Sequence, residues 1–213
     1  LPKYYSFLED KIRETAKNYI TRGKIEIYLY IKKKEAPRSM RAKVAEIKSS
    51  PAWKRIQLED TKALRQQFDL LPKQDIRQAL LDEQYFLCAY CMRRIENEEL
   101  HMNIEHWSPL SKDKDNALNY RNFLAVCKGG ADIPGNTKRR VLCCDAEKLD
   151  TELTIDPQDQ EMMSHIRYSK DGIILFHPTS PSGRWSAELI HTIEQDINQI
   201  LQLDGRPNRT GGI

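Results

Sequence analysis

No apolar run in these 213 residues approaches the roughly 20 that a membrane-spanning helix needs, and Leu1-Pro2-Lys3-Tyr4 lacks the basic-then-apolar order of a secretory signal. A soluble, cytoplasmic protein is expected. The chain opens on Leu1 rather than Met, consistent with a start that is absent or altered. A secreted disulfide framework is also missing, because the five cysteines are odd in number and spaced like metal ligands. No internal repeat or low-complexity tract occurs. The net charge is only +3, and the length suffices to bury a core without relying on metal alone.

The small net charge conceals an uneven distribution. From Lys32 to Arg65 eleven Lys and Arg stand against four acids, a local +7 that leaves −4 for the rest. Such a segment suits a polyanionic partner, since each cation that neutralises a phosphate releases counterions. A solvated helix face would read the same way.

The pattern of apolar residues divides the chain into four regions: an N-terminal extension over 1–31, a basic linker and helices over 32–84, a central core over 85–155 and a C-terminal part over 156–213. The first holds a helix over 5–20, a turn at Gly23 and an alternating strand over 24–31. Residues 32–50 read as a linker or short helix broken at Pro37. Ser50-Pro51 then starts a helix running to Leu71, with Trp53, Ile56, Leu64 and Phe68 on its buried side. A second helix from Lys73 to about Gln84 leads to Cys88. Past the core, 166–176 reads as a hairpin turning at Lys170-Asp171-Gly172, followed by an amphipathic helix over 185–203 and a loose tail.

Chemistry concentrates in the third region. Cys88-Ala-Tyr-Cys91 presents two thiolates from one tight turn, and Cys127 with Cys144 can close a four-thiolate zinc site. The 16 residues between that second pair are polar and glycine-rich, as a surface loop would be. Cys143 competes with Cys144 as the fourth ligand. Between the pairs lies Ile104-Glu105-His106-Trp107, an acid next to a histidine at a strand end, where one group can face a metal ion and the other a water. An imidazole titrating near pH 6.5 can take a proton from water at physiological pH. His101, His165, His177 and His191 lack such neighbours and read as structural or surface residues.

The order acid-His, Asn122, Cys127, Cys144-Asp145 and Lys148 resembles the HNH, or ββα-metal, endonucleases. That resemblance implies an α+β fold: a ββα-metal core with a zinc-binding cysteine cluster, embedded in flanking helices and a β-hairpin. It implies that His106 is the general base, that Glu105 and Asp145 hold a catalytic Mg2+ or Mn2+, and that Asn122 (or Asn119) pins the loop and orients the histidine. Cys144 is preferred over Cys143 because Asp145 and Lys148 then fall in register with that pattern. Asp145 stands where many relatives carry His or Asn, yet it is an oxygen donor suited to magnesium.

A narrower match, from Leu80 through Cys91-Met92, Ile104–Pro109, Leu118–Cys127 and Cys143-Cys144-Asp145, resembles the PtuB-like HNH subunits of Septu-type antiphage systems, including retron-linked ones. It implies a PtuA-like ABC-type ATPase as partner, a retron reverse transcriptase with its RNA–DNA product in the linked systems, and a nucleic-acid substrate. Leu8–Arg13 and Thr21–Ile27 resemble an interior stretch of YicC-like endoribonucleases and read as a foreign extension without activity. The combined expectation is an endonuclease in which zinc is structural, with Arg121, Lys128, Arg139, Arg140 and Lys148 as candidate phosphate contacts. The alternatives are a non-catalytic zinc-dependent nucleic-acid-binding module and an assembly module. Neither has a use for the Glu105-His106 pair.

Overall fold

A computed structural model describes residues 30–58, 61–130, 142–169, 173–178 and 184–203, together with Glu14 and Lys17. The helix expected over 5–20 and the strand over 24–31 lie outside the described residues, apart from Glu14 and Lys17, which are helical, and Tyr30 and Ile31, which are in no strand. The architecture is mixed α+β, with short helices packed around two small antiparallel sheets. No helix among the described residues is long and apolar enough to cross a membrane.

Pro37 does not break the basic segment but starts its helix, α1 (Arg38–Ser49). The ring fixes φ at −51°, its carbonyl accepts from Arg41 N at 2.9 Å, and its missing N–H is no loss at a helix start. Of the helix expected over 51–71, the described residues form α2 (Trp53–Leu58) and α3 (Thr61–Asp69), and residues 59 and 60 lie outside the described set. The helix α4 (Lys73–Glu83) follows the expected span and buries Ile76, Leu80 and Leu81 on one face.

That face packs against a two-stranded hairpin, β1 (Met102–His106) and β2 (Phe123–Cys127), in the register Met102↔Cys127 and His106↔Phe123. Every residue of β2 is buried, as the unbroken apolar run Phe-Leu-Ala-Val-Cys requires of a strand covered on both faces. Gln84 extends this sheet with its side chain: its amide donates to Ala125 O and accepts from Ala125 N, both at 2.8 Å, imitating a neighbouring strand. A four-residue helix, α5 (Asp145–Lys148), completes the strand-strand-helix order.

The C-terminal part holds α6 (Gln160–Ser164), the hairpin β3 (Ile166–Tyr168) with β4 (Ile174–Phe176), and α7 (Ala187–Gln195), which continues as a π turn over Asp196–Ile200. Ser186 caps α7 through Leu189 N at 3.2 Å. The expected turn at 170–172 lies outside the described residues. Trp53 and Trp185 are both buried in the chain's own core, Trp185 edge-on to Phe176 with ring centres 5.0 Å apart, so neither is presented as an anchor for a partner.

After β2 the chain turns at Gly129, with φ +59°, and passes beneath Cys143, whose N–H donates to Gly129 O at 2.9 Å. A Cβ built there would stand 1.9 Å from Cys143 O. Gly129→Ala is expected to lower stability by at least about 1 kcal/mol and to loosen the Cys127–Cys144 junction. Denaturant unfolding checks this, and an unchanged midpoint would refute the steric argument.

Candidate metal centre and active site

Three separate segments deliver the sulfurs. Cys88 and Cys91 stand in a tight turn after α4, where Leu87 bridges Arg94 and Cys88 N donates to Arg93 O at 2.8 Å. Cys127 ends β2, and Cys144 precedes α5 with φ +57°, a strained backbone for a residue with a Cβ. The Cys88–Cys144 separation is 4.0 Å, and Cys91–Cys127 and Cys127–Cys144 are each 3.7 Å. Four ligands about 2.3 Å from a common centre stand about 3.8 Å apart when tetrahedral, so the cluster has the dimensions to hold a metal ion. Cys143 is buried but outside this set.

The ionisation of the thiols fits the same conclusion. Thiol hydrogen bonds from Cys143 and Cys144 pull Cys127 down to about 4, and those from Cys127 and Cys144 hold Cys91 well below the usual thiol range. Burial pushes Cys88 up, and the neighbouring thiols push Cys144 up. Four crowded sulfurs cannot all ionise unaided. A bound cation would allow it.

Asn103 and Glu105 share one face of β1, as alternate strand residues do, and meet α5 there. Asn103 Nδ2 donates to Asp145 Oδ2 at 2.6 Å, while Lys148 Nζ donates to Glu105 Oε1 at 2.7 Å and to His106 O at 3.2 Å. Burial, then the charge of Asp145 and a hydrogen bond with it, push the Glu105 carboxyl up to about 8, against the opposing pull of Lys148. With its carboxyl raised to about 8, Glu105 keeps its proton at neutral pH beside Asp145, and a bound cation would displace that proton. These oxygens suit a hard divalent ion.

His106 points to the opposite face. Its ring packs edge-on against Phe68 and Phe123, with centres 4.7 and 4.9 Å away, and Nε2 lies 3.0 Å from Ala117 O. Because a carbonyl can only accept, Nε2 carries the proton and Nδ1 the lone pair. Burial lowers the imidazole to about 4, and the charges of Lys73 and Arg65 add to the effect, in contrast to the value near 6.5 expected from sequence. Asn122 closes the loop after β1. Its Oδ1 accepts from Ser108 N at 2.8 Å and its Nδ2 donates to Ser108 O at 3.0 Å. Asn119, the other candidate, is exposed and accepts from Arg121 N at the start of a 3-10 turn.

A family model for the N-terminal region of YicC-like endoribonucleases matches residues 1–118. The chain belongs to that family. The YicC-like match is not confined to 1–31: the stretch that reads as a foreign extension is its beginning, and the match continues through α1–α4, Cys88, Cys91 and the Glu105-His106 pair. It ends before Asn122, Cys127, Cys144 and Asp145. No curated protein matches the chain.

In this YicC-like chain the expected phosphate contacts fall in different settings. Arg121 is exposed and Lys128 partly so, whereas Arg139 and Arg140 lie outside the described residues. Lys148 is fully buried as an ion-pair partner, so it orients Glu105 instead of meeting a ligand. Sequence reasoning overlooked Asn103 and Tyr90. Tyr90 Oη is buried without a hydrogen-bond partner, and after burial the charges of Glu105 and Asp145 contribute most to raising its ionisation, so it stands beside the carboxylate pair. Its place between Cys88 and Cys91 was the available signal.

A direct test follows from the histidine's burial. The His106 ring resonances should titrate near pH 4, against about 6.5 in the unfolded chain. Because the folded value is depressed, the stabilising effect of the neutral ring is present above pH 6.5 and is lost as pH falls towards 4, in total about 3 kcal/mol. A ring titrating near 6.5 in the native protein would contradict the packing against Phe68 and Phe123.

Proposed function

We propose that this YicC-like chain is a divalent-metal-dependent endonuclease of the ββα-metal (HNH) type, with RNA as its substrate and zinc in its four-cysteine cluster. The observation that carries this reading is the Glu105–Asp145 carboxylate pair, braced by Lys148 and Asn103, between α5 and the strand β1 whose last residue is His106. The family description supports RNA. A cation held by Glu105 and Asp145 would supply positive charge to a scissile phosphate. The chain's own residues do the rest. Lys148 holds the Glu105 carboxylate in place, Asn122 fixes the loop, and Ala117 O leaves Nδ1 of His106 free to take a proton from water. Zinc would be structural, tying the turn, the hairpin and α5 together.

The burial of His106 against Phe68 favours a second reading, a non-catalytic zinc-dependent module that binds nucleic acid. For the nuclease, that ring must leave Phe68 to reach the carboxylate face. The two readings separate in one experiment. With magnesium and labelled RNA, the wild-type protein should cleave, and His106→Ala should lose about 10²- to 10⁴-fold in rate while keeping its metal content. Cys91→Ser should lose bound metal and fold together, as elemental analysis and protease sensitivity would report. RNA binding without cleavage would establish the second reading.

The motif order shared with PtuB-like subunits extends the proposal to antiphage defence, with a PtuA-like ABC-type ATPase as partner. Co-expression with such an ATPase should yield a complex of fixed ratio, and separate elution would remove this part.

A further inference from the structure

Beside the hairpin lies an open cavity of about 490 Å³, formed where the segment before α1 meets the 3-10 turn over Tyr120–Asn122. Its floor is built. Lys33, with a 6% exposed side chain, donates to Phe123 O, stands 3.6 Å from Glu83 Oε2 and lies over the Tyr120 ring at 4.8 Å. Glu83 Oε1 in turn accepts from Tyr120 Oη at 2.9 Å and Lys34 N at 3.0 Å. This network locks two distant segments together and sets the directions of the rim residues.

The rim is basic. Lys34 and Arg121 are exposed and make no ion pair among the described residues, whereas Arg41 is paired with Glu35 at 3.1 Å. Phe123, to which Lys33 is bonded, is the register partner of His106, so the cavity adjoins the end of the hairpin that bears the histidine. A hydrophobic ligand would meet charged walls, and a small anion would not fill the volume. A chain of phosphates with sugars between them matches both the charge and the extent.

We infer that this groove binds the sugar-phosphate backbone of the RNA strand, with Lys34 and Arg121 neutralising phosphates and Arg41 available to a further one on leaving Glu35. The inference rests on the nuclease reading for the identity of the strand. It goes further in replacing the diffuse field of the whole basic segment with one defined path, lined by two segments that the bond between Lys33 and Phe123, 90 positions apart, holds together.

The test is binding of a labelled single-stranded RNA by the full chain without added magnesium, over a range of salt. Lys34→Gln combined with Arg121→Gln should weaken binding about tenfold and reduce the slope of log K against log salt by about 1.4, or 0.7 for each contact on a single strand. Lys48→Gln with Lys54→Gln removes the same charge from exposed helical positions outside the groove and should change affinity much less. An unchanged affinity in the first variant, or an equal loss in the second, overturns the groove while leaving the nuclease reading intact. A wild-type protein that neither binds nor cleaves the RNA defeats both.

Discussion

The convergence of four sulfurs from three segments is the constraint on which the rest of the structure depends. The turn after α4, the end of β2 and the start of α5 are brought within contact of one another at Cys88, Cys91, Cys127 and Cys144. A four-residue helix cannot hold itself in place, since its hydrogen bonds are too few to offset the nucleation penalty. The position of α5 is therefore set by its attachments. Cys144 supplies the attachment at one end, and Lys148, reaching Glu105, supplies it at the other.

That arrangement links the sulfur cluster to the carboxylate pair through very little chain. Asp145 directly follows a cluster sulfur, and Glu105 sits on the strand paired with the one that ends in Cys127. Any change that loosens the sulfurs would move the two carboxylates apart. Lys148 bonds to Glu105 and to the backbone at His106, and the raised Glu105 carboxyl lets the two acids sit together.

Membership in the YicC-like family and the cysteine cluster bear on different parts of the chain. The match covers the basic segment, α1–α4 and β1, whereas β2, α5 and half of the cluster lie beyond it. The two parts are physically inseparable, because α4 packs on β2, Gln84 completes its hydrogen bonds, and Lys33 is bonded to Phe123. The side chains that would bind a substrate strand come from either side of position 118, with Lys34 before it and Arg121 after it.

Much of this was legible in the sequence because it depends on local spacing. Cys-x-x-Cys puts two thiols in one turn, the spacing of Ile76, Leu80 and Leu81 makes one helical face, and the Asp145–Lys148 separation spans one helical turn. The sequence also favoured Cys144 over Cys143, and the structure brings Cys144 into the cluster. Other features depended on what lies across the fold. A lysine three residues after Asp145 reads as a solvent-facing phosphate ligand until Glu105 and the His106 carbonyl are found around it, and it is burial, aided by the charges of Lys73 and Arg65, that lowers His106 to about 4. Proline and charge left 32–50 as a linker or a short helix broken at Pro37, and Met40 and Ile47 bury one side of a regular helix that starts after that proline. Local pattern determined which residues could act together on one element. The tertiary structure decided which of them meet, which are desolvated and which remain open to a ligand, because burial and charge at each site are set by residues far away in the chain.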